Sequence, residues 1–301
     1  REANYAAILR ECGIAVEFSP AVLAEADRVA REPIEKGSRL DLTGETIFTI
    51  DGADAKDLDD AVSLSETESG GYLLGVHIAD VSHYVEEKTA LDREAMARGT
   101  SVYFTDKVVP MLPPSLSNGA CSLNAGEEKY ALSALITLSG TGEILSAEIR
   151  ESVIKSRVRG VYSEVNDLFL RAEKSSFYKK YAEVYGTLTR MFRLYRLLAE
   201  KNEARGAMTL DRPEPLILLG EDGLPTAITA RERGDAERLI EAFMLTANEA
   251  VAEKMTAWKI PCVYRVHAAP SAEKSEELST FLHNIGFDTT YIQKDAITAK
   301  A

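Results

Sequence analysis

The chain has 301 residues, of which 45% are hydrophobic and 28% are charged, a composition typical of a globular protein. Its formal net charge of −13 argues against a globally basic nucleic-acid binder, although a single groove can still be basic. No apolar run approaches membrane-spanning length, and the three scattered cysteines argue against a disulfide framework and a zinc site. We therefore expect no membrane association and a location in the reducing cytoplasm.

Residues 1–38 are predicted to form a helical N-terminal extension or linker. Ser19 and Pro20 are a suitable N-cap and first turn for a helix, which Pro33 ends. Strand patterns begin near Asp41, so we place one larger domain at residues 39–301. The chain begins with Arg1 and not with methionine, and we expect it to be a piece of a longer protein.

Three β-hairpins are predicted from apolar runs that flank turn sequences. They span residues 61–78, 130–154 and 216–230, with Gly-containing turns in each. Amphipathic helices are expected at residues 89–98, 165–172, 177–203, 235–258 and 271–283, and a buried strand at residues 262–266. This order of elements predicts an α+β fold, in which long helices pack around a largely antiparallel or mixed sheet.

Five aspartates occur within ten positions, between two short apolar runs. They are Asp51, Asp54, Asp57, Asp59 and Asp60. Carboxylates held this close repel each other, so the arrangement requires that some are protonated or that a cation lies among them. All-oxygen ligands suit a hard cation, Mg²⁺ or Mn²⁺ before zinc. The alternative is a polar surface turn, because Asp and Gly are common in turns.

Two further features are typical of a protein that contacts an extended polymer. A proline-stiffened segment at residues 100–114 carries Tyr103, and a tyrosine beside a nucleic-acid path can stack on a base. Lys155, Arg157 and Arg159 alternate along a predicted strand, which gives a positive stripe that can contact phosphates. The alternative for the stripe is an ordinary solvated edge. Together with a magnesium site, these features are compatible with two-metal displacement at a phosphodiester.

The sequence resembles the catalytic RNB domain of the ribonuclease II and ribonuclease R family, and it is more similar to the ribonuclease R branch. The resemblance covers roughly residues 38–285 and rests on several motifs in the family's order. They are Thr49-Ile50-Asp51-Gly52 with Asp57-Leu58-Asp59-Asp60-Ala61-Val62, His77-Ile78-Ala79-Asp80-Val81-Ser82, Thr100-Ser101-Val102-Tyr103-Phe104, Pro110-Met111-Leu112-Pro113, and Leu116-Ser117-Asn118-Gly119 with Cys121-Ser122-Leu123.

The resemblance implies a processive 3′→5′ exoribonuclease that hydrolyses single-stranded RNA from its 3′ end to 5′-mononucleotides, with Mg²⁺ as cofactor and Mn²⁺ as a substitute. By position, Asp51, Asp57 and Asp60 resemble the metal ligands. Asp59 resembles the aspartate most critical for cleavage, and Tyr103 resembles the aromatic residue that stacks on the 3′-terminal bases. Protein partners are unknown from the sequence.

Other polar residues near these motifs are interpreted as structural. Asp54 is interpreted as a turn residue and Asp80 as a structural or supporting residue. The histidines, including His77 and His83, have no partners at zinc spacing and are interpreted as core or surface residues.

The chain departs from the family at its C-terminal side. The family's later stretch Tyr-x-His-Phe-Thr-Ser-Pro-Ile-Arg-Arg-Tyr does not occur before Ala301, and Leu210 stands near the expected second stacking aromatic. We therefore expect the catalytic domain to be partial, with weak or no activity on its own.

Two alternatives to the enzyme stay open from the sequence. One is a non-catalytic RNA-binding relative with a vestigial metal site. The other is a structural module stabilised by Ca²⁺ or Mg²⁺, although Ala53, Ala55 and Val62 occupy positions where an EF-hand has ligands.

Overall fold

The computed structural model describes residues 2–207, 214–266, 268–290 and 292. The strands are β1 (Leu40–Asp51), β2 (Asp60–Glu66), β3 (Tyr72–Ala79), β4 (Val102–Tyr103), β5 (Val108–Val109), β6 (Glu128–Leu138), β7 (Ile144–Val161), β8 (Glu214–Leu219) and β9 (Pro225–Arg231). The helices are α1 (Glu2–Glu11), α2 (Pro20–Ala30), α3 (Val81–Tyr84), α4 (Ala90–Arg98), α5 (Tyr162–Arg171), α6 (Tyr178–Tyr181), α7 (Tyr185–Ala204), α8 (Asp235–Trp258) and α9 (Ala272–Asn284).

Five strands close into a barrel in the order β1-β2-β3-β6-β7. Neighbouring strands are antiparallel except for β1 and β7, whose parallel pairing closes the barrel. Gly160 allows this closure, because a Cβ at that position would collide with the backbone oxygen of Thr49. The α+β fold with a mixed sheet is confirmed, and the closed barrel is an addition that the hairpins alone did not predict.

The main core lies between the barrel and the helices α5, α7 and α8. Phe48 and Val62 on the strands are fully buried in one cluster with Leu188, Leu239 and Phe243 on the helices. Because side chains alternate along a strand, the neighbours of these strand residues face the inside of the barrel. A smaller cluster there contains Ile47, Ala61 and Ile154, among others.

The helix α2 packs against the body of the molecule through a third cluster. Val22 and Ala26 are buried there together with Leu91 and Leu116. Ser19 caps this helix, since its hydroxyl accepts a hydrogen bond from the amide of Val22 at 3.4 Å. The predicted domain boundary at residue 39 remains a prediction.

The three hairpins are confirmed as β2–β3, β6–β7 and β8–β9. Two predicted elements are wrong. The helix expected over residues 177–203 is two helices, α6 and α7. The strand expected over residues 262–266 is irregular and exposed, because no neighbouring strand in the described part of the chain pairs with it. Within the described residues, every helix is too short or too polar to cross a membrane.

Candidate active site

The aspartate-rich loop lies at one end of the barrel, where β1 ends and β2 begins. We call residues 51–60 the Asp loop. Asp51 is the last residue of β1, and Asp60 is the first residue of β2. Because these two strands are antiparallel neighbours, their adjoining ends bring the two aspartates to the same end of the barrel.

The four carboxylates assigned to metal binding and cleavage are electrostatically coupled. Burial, and then the charges of Asp60, Asp59 and Asp57, raise the pKa of Asp51 to about 7. Burial and the charge of Asp59 raise the pKa of Asp60 to about 6. The pKa of Asp59 is also raised, by loss of hydration first and by Asp57 second. The Asp loop therefore gathers negative charge where it is poorly hydrated, as functional sites commonly do.

Two carboxylate oxygens of this loop are buried without compensation. Asp51 Oδ2 and Asp60 Oδ2 have no hydrogen-bond donor within the described residues. An unpaired buried carboxylate oxygen is costly, and a hard divalent cation is the ligand that would take up its lone pairs. The donor chemistry thus fits Mg²⁺ or Mn²⁺.

The carboxylates are not drawn together as a complete ligand set. Within the described residues, there is no group of three or more His, Cys, Asp or Glu side chains in an arrangement that could hold a metal ion. Assignment of Asp51, Asp57 and Asp60 as ligands therefore stays a prediction, supported by the unpaired oxygens and the shared charge.

Tyr103 lies beside the Asp loop, as an aromatic residue that faces solvent. It belongs to β4, its side chain is 66% exposed, and its hydroxyl donates to Asp57 Oδ2 at 3.4 Å. Phe104 next to it packs edge-to-face on Tyr5 of α1, with ring centroids 4.9 Å apart. An accessible ring next to the carboxylates is suitably placed to stack on the end of a nucleic acid.

Lys155, Arg157 and Arg159 alternate along β7 as predicted, but two of the three side chains are already engaged. The Arg157 guanidinium donates to backbone carbonyls of residues 43–45 at 3.1–3.3 Å. The Arg159 guanidinium donates to two backbone carbonyls of the Asp loop. Contact of this stripe with phosphates stays a prediction, and both arginines have a clear structural contact as well.

The structural interpretations of Asp54 and Asp80 agree with the structure. Asp54 is exposed in the turn of the Asp loop. Asp80 is buried and forms an ion pair with Arg39 at 2.7 Å, and it also accepts from the Ser82 hydroxyl at 2.7 Å. Burial opposes its ionisation, but these hydrogen bonds hold the pKa of Asp80 below its usual value.

His77 is a core residue of the barrel interior. Its ring is fully buried between the hydroxyls of Ser63, at 3.0 Å, and Ser133, at 2.7 Å. Burial lowers its pKa to about 3, so the ring is neutral at physiological pH. This confirms the interpretation of His77 as a core histidine.

Two further residues lie near the carboxylates, and the sequence analysis assigned a role in the site to neither of them. Tyr162 follows β7, whose last residue pairs with Asp51, and burial and the nearby carboxylates raise the pKa of its hydroxyl above the usual value. Cys121 is buried, and burial and the charge of Asp59 raise its thiol pKa to about 12. The thiol is therefore protonated at neutral pH. Neither residue has a sequence pattern that predicts its neighbours, because both reach the site through tertiary contacts.

Leu210, which stands near the expected second stacking aromatic, lies outside the described residues.

Comparison with protein families matches residues 39–301 to the RNB domain. Ribonuclease R 1 of Lactococcus lactis is 44% identical over 281 residues, which cover 93% of this chain and 34% of that protein. Ribonuclease R of Thermotoga maritima is 41% identical over 281 residues, covering 92% of this chain and 39% of that protein. The chain thus spans about a third to two-fifths of the length of these curated relatives.

The fold has the same arrangement as a solved ribonuclease. Mycoplasma genitalium RNase R, in complex with ribose-methylated single-stranded RNA, superposes with a TM-score of 0.91 at 30% identity. The superposition covers 99% of this chain and 46% of that protein.

Proposed function

Because this chain belongs to the RNB domain family, we propose that it carries the hydrolytic centre of an exoribonuclease. The substrate is the 3′ end of single-stranded RNA, and the reaction releases 5′-mononucleotides processively in the 3′→5′ direction. Water attacks the last phosphodiester, the bond from phosphorus to the 3′ oxygen breaks, and the shortened RNA keeps a 3′-hydroxyl.

The choice of RNA follows from the relatives. Curated relatives at 41–44% identity are named Ribonuclease R, and the superposed Mycoplasma genitalium RNase R was solved with single-stranded RNA. The accessible ring of Tyr103, next to the carboxylates, supports stacking on a terminal base. Tyr103 would thereby hold the 3′ end against the Asp loop.

Asp51, Asp57 and Asp60 are the residues that would hold Mg²⁺, with Mn²⁺ as a substitute. When bound, two such cations supply activation of the attacking water and stabilisation of the leaving oxygen. Asp59 is the one residue of these four aspartates that is exposed, and it is assigned to the cleavage step. Tyr103 keeps the substrate end in place beside Asp57.

One observation carries this proposal. Asp51 and Asp60 lie at the same end of the barrel, and one carboxylate oxygen of each is buried without a hydrogen-bond partner in the described structure. Folded proteins seldom leave a buried carboxylate oxygen without a hydrogen-bond partner or a bound ion. Two such oxygens at this position therefore favour a cation-binding role over a surface turn.

The test uses a 5′-labelled single-stranded RNA with the 301-residue chain, in Mg²⁺ and in chelator. Because the domain is partial, any activity should be weak; it should give a ladder that shortens from the 3′ end in Mg²⁺ and is lost in chelator. Asp59→Asn should abolish the ladder and leave RNA binding, measured by fluorescence anisotropy, unchanged. Asp54→Asn is the matched control, because it removes a carboxylate from the same loop at an exposed turn position.

Activity that survives in Asp59→Asn would contradict the assignment. RNA binding without cleavage in the unmodified chain, with no rise in melting temperature on addition of Mg²⁺, would instead identify a non-catalytic relative. A rise in melting temperature without cleavage would show that the metal site is built, and that hydrolysis requires parts of the longer protein.

A further inference from the structure

The two halves of the Asp loop are held in different ways. In the second half, the amides of Leu123 and Ala79 donate to the carbonyls of Leu58, at 2.8 Å, and Asp59, at 2.9 Å. The buried Ser122 hydroxyl adds a bond to the carbonyl of residue 56 at 3.0 Å. Neighbouring backbone therefore holds this half as an extension of the barrel.

The first half of the loop is hydrogen-bonded to a side chain from another strand, and its Ala55 also packs against the buried cluster that contains Ile47. Within residues 52–55, one turn is closed internally, from the amide of Ala55 to the carbonyl of Gly52 at 3.2 Å. Two hydrogen bonds from outside the loop come from Arg159, whose Nη2 donates to the carbonyls of Ala53 at 2.9 Å and Ala55 at 2.7 Å. Both hydrogens of that nitrogen are used, one for each carbonyl.

Arg159 reaches this position because of the parallel pairing that closes the barrel. Its Cα lies opposite Thr49 in the register of β1 and β7, two residues before Asp51. The guanidinium therefore lies across the point where the strand β1 becomes the loop. Its positive charge also opposes the repulsion that Asp51 receives from the other carboxylates.

We propose that Arg159 is a positioning residue, which fixes the first half of the Asp loop and thereby sets Asp51 and Asp57 for cation binding. This role replaces the phosphate contact that the positive stripe predicted for Arg159, and it rests on the proposed metal site. The bonds run from one rigid strand to two carbonyls that flank the exposed turn. Loss of the guanidinium frees that turn, and with it the segment that connects the two aspartates.

Arg157 provides a matched control within the same strand. It lies two residues earlier on the same face of β7, and its guanidinium also donates to backbone carbonyls, but in residues 43–45 and not in the Asp loop. A general role of the arginines in strand stability, or in contact with phosphates, would affect both positions. A role in the Asp loop would affect Arg159 alone.

The experiment measures the affinity for Mg²⁺ and Mn²⁺ from the metal-dependent melting temperature of the 301-residue chain, without RNA. Arg159→Ala should weaken the metal affinity by about 10-fold or more, which is the usual effect of removing a group that supports metal ligands. Arg157→Ala should leave it within about twofold. The affinity for single-stranded RNA in chelator, measured by anisotropy, should change less than about twofold in Arg159→Ala.

Arg159→Lys keeps the positive charge and removes the planar fork. We expect a metal affinity between those of Arg159→Ala and the unmodified chain, and this variant decides the matter if Arg159→Ala does not fold. A metal affinity unchanged in the folded variants, together with weakened RNA binding, would overturn the positioning role and restore the phosphate contact. If the unmodified chain itself shows no metal response, the proposed metal site is wrong, and the role of Arg159 falls with it.

Discussion

The unpaired oxygen of Asp60 predicts that Asp60→Asn is more stable than the unmodified chain without metal and less stable with metal. Asp60→Asn keeps the volume of the side chain and removes a negative charge that lies among other carboxylates. In the metal-free chain, the substitution relieves a buried acceptor that has no donor in the described structure, which is worth about 1–3 kcal/mol. The new amide group can also donate to a neighbouring carboxylate. We therefore expect Asp60→Asn to be more stable than the unmodified chain in chelator.

Saturating Mg²⁺ should reverse that order. A cation present at about 1,000 times its dissociation constant stabilises the chain that binds it by about 4.1 kcal/mol, which exceeds the roughly 1–3 kcal/mol gained by the variant in chelator. The unmodified chain gains this stabilisation, and Asp60→Asn loses a ligand and gains little of it. With roughly 2 °C for each kcal/mol in a chain of this size, the variant should melt about 2–6 °C higher in chelator. It should then melt below the unmodified chain in millimolar Mg²⁺.

The assay is thermal unfolding followed by circular dichroism or calorimetry at pH 8, with and without Mg²⁺. Asp54→Asn is the control, because an exposed turn position should change the stability by less than about 0.5 kcal/mol and should leave the Mg²⁺ response intact. The reasoning is refuted if Asp60→Asn is less stable than the unmodified chain in chelator. It is also refuted if Mg²⁺ raises the melting temperature of both proteins equally.

Three further predictions concern the barrel and the substrate end. The buried His77 has its pKa lowered from 6.5 to about 3, so the unfolded chain takes up a proton where the folded chain does not. Between about pH 8 and pH 5, the unmodified chain should therefore lose about 2 kcal/mol of unfolding free energy relative to His77→Gln in urea titrations, while the raised pKa values of Asp51 and Asp60 act in the opposite direction in both proteins. Gly160→Ala should destabilise the chain by about 1–3 kcal/mol in the same titrations, because the new Cβ would collide with the backbone oxygen of Thr49. An unchanged urea midpoint of unfolding would argue against tight closure of the barrel. Tyr103→Ala should weaken single-stranded RNA binding by about 1–3 kcal/mol in anisotropy titrations. Tyr103→Phe should not weaken it, because the ring stacks and the hydroxyl that donates to Asp57 does not. Equal losses in both variants would contradict stacking.

The dependence of the Asp loop on distant residues has a practical consequence for variants of this family. The loop is short and its ligands are close in sequence, yet its conformation is held by Ser122 and Leu123 from one side and by Arg159 from the other. Substitutions at Ser122 and Arg159, which hold the loop through their side chains, are expected to alter metal binding without touching a carboxylate. A loss of activity at such a position is therefore weak evidence for contact with RNA.

Local signals in the sequence were sufficient for most secondary structure. Each hairpin had a Gly-containing turn between apolar runs, and helices α2, α4 and α9 begin after Ser19, Thr89 and Ser271, whose side chains accept a backbone amide. These are contacts between residues a few positions apart, so the sequence contains both partners of each. One error arose where a distant partner was needed, because residues 262–266 pair with no strand in the described part of the chain. The other is the interruption between α6 and α7, which the helical spacing of the apolar residues did not indicate.

For the candidate site, too, the sequence predicted the features that depend on nearby residues, and the tertiary structure was needed for those that depend on distant ones. The spacing of the aspartates, the flanking apolar runs and the ordered motifs were enough to identify the family and the residues of the Asp loop. Only the tertiary structure revealed that two carboxylate oxygens are buried without a partner, that Tyr103 reaches Asp57, and that Arg159 is turned toward the loop. For Arg159, the physical reason is the parallel pairing of β1 with β7, which joins segments about a hundred residues apart, as the 106 positions between Ala53 and Arg159 illustrate. Sequence determines which residues carry charge and where strands turn, whereas burial and the direction of a side chain depend on which distant strand lies next to it.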